Sequence, residues 1–276
     1  MRDPRDADDE GSDCTVGTQS SVFRDVLGST VRTDVLVAVA ADARPTKRVV
    51  ETVDASESAV YNAVDDLRNQ GLVRSVEGRC ETTGSGQVVA DHLEHQSELC
   101  RLLSEPYWES HDTAVLPERF RLRLPELSGA DVFHASDTEP HAVVREVCDR
   151  IETGSPDVDV ISPIYQPEYE EVMPDASEAR LLLGTEVVTR LLATVDDPEE
   201  AGEFEHTSVR ILDVDVAMGV TDEHLMLSLP TLDGQYDSRT ELFATDERAL
   251  AWGRDVFEHY WNRGRPEEAF LADYDF

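Results

Sequence analysis

An α+β chain in two parts is what this sequence predicts, and three observations predict it. Residues 45–71 read as a short helix, a tight turn and a capped second helix, followed by a hairpin pattern. Residues 87–104 carry apolar side chains at helical spacing, with Pro106 and Pro125 limiting the helices beyond. From residue 129 onward, Val- and Ile-rich runs alternate with helical periodicities, the signature of an α/β layer with a mixed sheet.

The N-terminal elements come in order. Residues 30–40 put Val31, Val35 and Val39 on one side of a first helix. Residues 45–53 form a short second helix, and Asp54-Ala55 is the turn. Ser56 is placed to N-cap a third helix, accepting a bond from an otherwise orphan amide. Val60, Ala63, Val64 and Leu67 make its apolar face, and Gly71 supplies a left-handed stop. Residues 72–76 alternate as a strand, Glu77-Gly78 turns, and residues 79–82 return. Thr83 then caps a helix beginning near Gln87. Three helices and a hairpin in about 65 residues are the sequence form of a winged helix-turn-helix, whose second motif helix enters the DNA major groove.

That helix presents Glu57, Ser58, Tyr61, Asn62, Asp65, Arg68 and Asn69 on its other face. Asp65 and Asp66 repel phosphate, so base contacts are expected in the first half. The expected DNA-binding set is Lys47, Arg48, Ser56, Ser58, Tyr61, Asn62, Arg68, Arg74 and Arg79. Within it, Ser58, Tyr61 and Asn62 are candidates for bases, and the arginines and Lys47 for phosphates. The expected partner is double-stranded DNA.

Downstream, the apolar stripe of residues 87–104 suits dimerisation, and residues 115–124 read as another short helix. Strands are expected near residues 130–135, 158–165, 179–183, 209–216, 225–229 and 242–243. Helices are expected at residues 139–152, 167–173, 186–195 and 245–262, with an acidic linker at 196–203. The chain therefore divides into an acidic disordered tail (1–20), a winged domain (21–86), a helical linker (87–128) and an α/β effector or sensor domain (129–276).

Charge sharpens the functional reading. The 276 residues carry a net charge of −35, with 59 acidic and 24 basic residues, and Lys47 is the single lysine. Phosphates repel such a surface, but acidity of this kind also suits a halophilic protein, because molar salt screens charge to within about 3 Å. Disorder is excluded as a general reading, since 40% of residues are apolar and clearly periodic. The acid is uneven. Residues 44–79 hold six basic and six acidic residues, whereas residues 106–276 hold 13 basic and 39 acidic. The segment expected to read DNA is spared.

Other chemistries find less support. Cys14, Cys80, Cys100 and Cys148 form no CxxC pair, which argues against structural zinc and a disulfide scaffold and suits a cytoplasmic protein. No apolar run reaches the roughly 18 residues of a membrane span. No catalytic set, metal site or cofactor is expected. Asp213/Asp215 and Asp222/Glu223 are chance clusters in so acidic a chain, and Cys80 is read as structural. Alternatives remain a metal- or redox-responsive sensor using His92, His95 and neighbours, and a winged module that binds protein instead of DNA. A hydrolase lacks any Ser-His-Asp or Cys-His signature. The HxK pair of phospholipase-D-like folds cannot occur after Lys47.

The chain resembles archaeal winged-helix transcriptional regulators related to the methanogenesis and filamentation regulatory proteins, abundant in haloarchaea. The N-terminal match is residues 56–64 with Leu67 and Gly71-Leu72-Val73. The C-terminal match is residues 161–169, 219–222, 225–229 and Gly234-Gln235-Tyr236-Asp237, with Trp252-Gly253, Phe257 and Tyr260. Cys80, Thr82 and Glu57 depart from the family pattern. The resemblance implies a cytoplasmic, dimeric DNA-binding regulator. It also implies a small-molecule effector site involving Tyr236 and Asp237, with Tyr165 nearby.

Overall fold

The computed structural model describes residues 25–153, 157–172, 179–192 and 208–273. The expected tail (1–20) and acidic linker (196–203) lie outside them. The chain forms two compact units, Met1–Ser97 and Glu98–Phe276.

In the first unit, helix α1 (Thr30–Ala41) is capped by Ser29, and α2 (Thr46–Thr52) follows Pro45. Helix α3 (Glu57–Asn69) begins as expected, with Ser56 Oγ accepting the Ala59 amide at 3.3 Å. Val60, Ala63, Val64 and Leu67 are buried against Val35, Leu36, Val39 and Val49. Gly71 takes φ +74°, which lets the Leu72 amide reach back to the Leu67 carbonyl at 2.9 Å and closes the helix.

Strands β1 (Val73–Val76) and β2 (Arg79–Thr82) pair antiparallel around Glu77 (φ 50°) and Gly78 (φ 80°), both left-handed as a two-residue hairpin requires. Arg44 and Cys80 exchange two backbone hydrogen bonds, adding a third rung beside β2. Helix α4 (Gly84–Leu102) starts from Thr83, whose Oγ1 accepts the Gly86 amide at 3.0 Å. A Cβ on Gly86 would lie 1.9 Å from the Leu72 carbonyl oxygen, so only glycine allows this approach of helix to hairpin.

The expected single stripe on α4 splits. Val89, Ala90 and Leu93 are buried in the first unit's core, Leu102 in the second's, and Val88 stays 66% exposed.

The second unit holds a mixed eight-stranded sheet among the described residues. Its strands are β3 (Asp131–His134), β4 (Asp159–Ser162), β5 (Arg180–Leu183), β6 (Ser208–Ile211), β7 (Ala217–Val220), β8 (Leu225–Ser228), β9 (Thr240–Ala244) and β10 (Arg265–Pro266). The order is β10-β6-β5-β4-β7-β8-β9-β3. β4, β5 and β6 are parallel, and all other pairings are antiparallel.

Of the strand expected at 209–216, only residues 209–211 lie in one, the end of β6; residues 212–216 connect it to β7, which falls outside the expected strands. Asp213 and Asp215 interrupt the apolar run, and Asp213 Oδ1 accepts the Thr185 amide at 3.2 Å. Residues 212–216 therefore carry the chain from β6 across the sheet end, past β5 and β4, to β7.

Residues 98–128 differ most from expectation. Leu102, Tyr107, Trp108, Leu116, Phe120, Leu124 and Leu127, from the expected helical linker, belong to the same core as Trp252 and Phe257. The helix expected at 115–124 is broken into a 3₁₀ turn (Thr113–Val115), α6 (Glu118–Arg121) and a second 3₁₀ turn (Leu124–Leu127), after α5 (Tyr107–Ser110). Pro117 and Pro125 explain it: neither can donate a helical amide bond, and the residue before a proline is pushed out of the helical region.

Helices α7 (Ala142–Thr153), α8 (Pro167–Val172) and α9 (Thr185–Leu192) connect the strands. α10 (Glu247–Trp261) is capped by Asp246 and lies close to the sheet: a Cβ on Gly253 would sit 2.7 Å from Leu225 Cδ1. Trp252 is fully buried, and its Nε1 donates to the Phe120 carbonyl at 3.1 Å. A terminal α11 (Glu267–Leu271) comes after β10.

Alternation sorts the central strands. Leu225, Leu227, Leu242 and Ala244 join the core that contains α10, while Met226 and Phe243 pack with Val147 and Ile151 of α7.

Candidate nucleic-acid interface and a buried acidic cluster

In the first unit, Ser56, Ser58, Tyr61, Asn62, Arg68 and Asn69 lie exposed on α3, opposite its buried face. Tyr61 is 43% exposed, unusual for so large a ring. The hydroxyl of Ser56 serves the helix cap and lies 3.3 Å from Ser58 Oγ.

The cations are less free than their exposure suggests. Arg48 pairs with Glu51 at 2.8 Å, Arg68 with Asp65 at 3.0 Å and Arg74 with Glu81 at 3.3 Å. Arg32 holds Asp66 at 3.1 Å. Arg79 donates through Nε to the Ala43 carbonyl at 3.1 Å and so ties the hairpin to the α1–α2 loop. Lys47, on exposed α2, enters no ion pair among the described residues. Cys80 is buried with its Sγ 3.1 Å from Thr46 Oγ1, a packing position.

The other sensor-type groups have local partners. Glu98 accepts Arg248 at 2.7 and 3.0 Å, and Asp222 pairs with Arg254 at 3.2 Å. Among the described residues no three His, Cys, Asp or Glu side chains are grouped to hold a metal ion.

The second unit contains a site that sequence reasoning reached only in part. Asp237 lies with His111, whose Nε2 is 3.2 Å from Asp237 Oδ2 and whose Nδ1 is 2.8 Å from the Tyr107 carbonyl. Nδ1 also lies 3.1 Å from the Ser110 hydroxyl, so each ring nitrogen has a polar partner. The Tyr107 ring stacks on His111 at 3.8 Å between centroids, and its hydroxyl oxygen accepts the Leu229 amide at 2.8 Å. Asp237 Oδ1 accepts the Arg239 amide at 2.9 Å.

Glu241 completes the cluster from β9, opposite Phe133 in the register with β3. It is 5% exposed, and burial, reinforced by the Asp237 charge, pushes its carboxyl up to about 8. Burial and the same Glu241 charge hold the Tyr107, Tyr169 and Tyr236 hydroxyls protonated well above their ordinary range. Tyr169 and Tyr236 hydrogen-bond to each other. The expected Tyr236 and Asp237 are therefore brought together, while Tyr165 is 37% exposed and Tyr169, one helical turn on, is the tyrosine bonded to Tyr236. A signal for Glu241 existed: it is an acid inside Thr240–Ala244, where every position is buried. Nothing in sequence connects His111 to Asp237, 126 residues away.

The geometry defines an α+β chain with helices and a two-stranded hairpin in one unit and a mixed sheet with Glu241 buried in it in the other. Two family models match it: the HVO_A0261 N-terminal domain over residues 21–101, and the middle domain of Methanogenesis regulatory protein FilR1 over residues 140–263. The chain is 24% identical over 220 residues to Methanogenesis regulatory protein FilR1 of Methanothrix harundinacea (strain 6Ac), covering 75% of this chain and 49% of that protein. It thus spans about half the length of the curated relative it matches. Among solved structures, TrmBL2, described as an archaeal chromatin protein with a novel mode of DNA binding, overlaps at a TM-score of 0.39 and 15% identity, covering 86% of this chain and 94% of that one. NucT from Helicobacter pylori overlaps at 0.37 and 7% identity, covering 50% and 98%. Superpositions this loose fix neither fold nor function. No helix among the described residues is long and apolar enough to cross a membrane.

Proposed function

We propose that this chain is a sequence-specific DNA-binding transcriptional regulator of a halophilic archaeon, not an enzyme. Residues 21–86 act as a winged helix-turn-helix and residues 129–276 as a sensor that biases DNA affinity, in a cytoplasmic homodimer. The observation that carries the reading is α3. A capped helix buries one face completely and leaves Ser58, Tyr61 and Asn62 exposed along its first two turns. Those side chains can donate to and accept from base edges in a major groove. Lys47 and the ion-paired Arg48, Arg68 and Arg74 serve phosphates, which replace the carboxylates these arginines hold in the free protein. Arg79 contributes by holding the hairpin in place. The similarity to a methanogenesis regulatory protein supports the same reading.

The test is fluorescence anisotropy with genomic fragments in molar potassium chloride. Selective retention of particular fragments, lost in a Ser58→Ala/Asn62→Ala double variant that melts like wild type, is the expected result. Equal binding of all fragments, or no change in the double variant, overturns it.

A further inference from the structure

Carboxylates are plentiful in the second unit, and its arginines take them. Arg123 holds Asp255 and Arg180 holds Glu258, each at 2.6 Å, and Arg254 holds Asp222 at 3.2 Å. Arg119 and Arg263 break that pattern. Both are exposed, and neither meets a carboxylate among the described residues. They converge instead on one imidazole. Arg119 Nη2 lies 2.6 Å from His259 Nδ1, and Arg263 Nη1 lies 3.2 Å from His259 Nε2. A guanidinium only donates, and a neutral imidazole has one accepting nitrogen. Whichever tautomer His259 takes, one of its nitrogens presents N–H to N–H. The acids on the same helix cannot relieve this, because Asp255 and Glu258 are taken by Arg123 and Arg180. Glu118, beside Arg119 in sequence, forms no ion pair among the described residues.

The cluster is held by its aromatic neighbours. Arg119 lies over the ring of buried Phe120 at 4.6 Å, and the Phe120 and His259 rings are 5.5 Å apart. The Tyr260 ring meets His259 edge-on at 5.1 Å, and its hydroxyl donates to the Val115 carbonyl at 3.0 Å. Burial, and then the charges of Arg119 and Arg263, hold the His259 ring below its ordinary pKa. Between residues 106 and 276, where 39 acidic residues face 13 basic ones, cations gathered on a ring that can take up a further proton lack an anion.

We propose that Arg119, His259 and Arg263 form a binding site for the phosphate group of a small molecule. This rests on the reading of the second unit as a sensor and names the chemistry it senses. Guanidinium forks pair with phosphate through parallel N–H···O bonds. Donors from Arg119, His259 and Arg263 call for more oxygens than the two of a carboxylate, and a phosphate supplies them. Its negative charge offsets those of the arginines, so His259 takes up a proton as the phosphate binds. The N–H to N–H conflict is then replaced by donors from every side onto one anion.

The test is imidazole NMR of the full chain at constant potassium chloride, with the His259 signals assigned by their loss in His259→Gln. Inorganic phosphate and glycerol 3-phosphate serve as probes, and acetate as the carboxylate control. The expected result is a saturable shift of the His259 ring with at least one phosphate, a rise in its titration midpoint, and no such response to acetate. Tighter binding of glycerol 3-phosphate assigns the site to a phosphate ester, and tighter binding of inorganic phosphate to the free ion. Arg119→Ala/Arg263→Ala is expected to weaken binding ~10-fold or more. Arg263→Gln alone should weaken it several-fold, giving a second reading if the double variant melts early. Silence of His259 towards both phosphates, an equal response to acetate, or wild-type affinity in both variants overturns the proposal. So does a loss of DNA affinity in the double variant with no phosphate present, which would give the cluster to the DNA backbone. DNA affinity measured with and without phosphate separates this site from the sensor reading. Phosphate bound at His259 with DNA affinity unchanged keeps the site and removes the sensor, whereas DNA binding can stand while the phosphate site fails.

Discussion

The two units solve the same electrostatic problem in opposite ways. In the first, charges lie at the surface in short-range pairs such as Arg68–Asp65 and Arg74–Glu81, which water screens and which cost little to exchange. In the second, Glu241 is buried on β9, and burial with the charge of the partly exposed Asp237 raises its carboxyl. A surface of paired charges can trade one anion for another. A buried acid changes protonation state, and so couples to whatever cation or proton reaches it. The net-neutral stretch at residues 44–79, within a chain at −35, thus contrasts with the buried acid of the second unit.

The largest expected effect tests whether the first unit is as pre-built as its caps imply. Gly86→Ala drives a Cβ into the Leu72 carbonyl and should destabilise helix and hairpin by about 3 kcal/mol or more, read in chemical melts. An unchanged midpoint would mean that α4 is not held against the hairpin.

The buried acid should give the next largest effect. Glu241 rises from 4.5 to about 8 on folding, so the folded state binds the extra proton. Stability is therefore full below about pH 4.5 as far as this group is concerned. It falls as pH rises towards 8, by on the order of a few kcal/mol. Glu241→Gln should flatten that slope and stabilise the protein at pH 8. A melt series in which the variant keeps the wild-type slope would place the pH dependence elsewhere.

A smaller effect is expected on the surface of α3. Asn62→Ala should weaken specific DNA binding by roughly 1–3 kcal/mol while leaving the melting curve unchanged. If specific and non-specific fragments weaken equally, Asn62 contacts backbone and not bases.

The smallest effect separates free from paired cations. Lys47→Ala should lower the slope of log affinity against log salt by about 0.9, the full value for one phosphate contact. Arg68→Ala should lower it by less, because Asp65 is already its counterion. Equal slopes would show that the pairs do not persist in solution.

Much of the first unit was legible because its rules are local. Ser56, Gly71 and Glu77-Gly78 each dictate backbone geometry within a few residues, and α3, β1 and β2 fall where their patterns put them. The strand and helix alternation of the second unit was legible for the same reason. The features that sequence missed depend on partners far along the chain. Residues 98–128 read as part of a helical linker suited to dimerisation because nothing local shows that Trp108 and Phe120 share a core with Trp252. The strand expected at 209–216 stops at Ile211, and β7 at Ala217–Val220 lay outside every expected strand, because its pairing with β4 and β8 is set by partners elsewhere in the chain.

By itself, the sequence determined the order of elements, the caps and turns, and the placing of neutral charge in residues 44–79, since each comes from spacing and composition within a short window. Tertiary structure alone decided which exposed arginines are already paired. It also decided that His111, Asp237, Tyr169 and Glu241 meet, because burial and Coulombic coupling depend on distance in space, which a mixed sheet with crossing connections sets independently of distance along the chain.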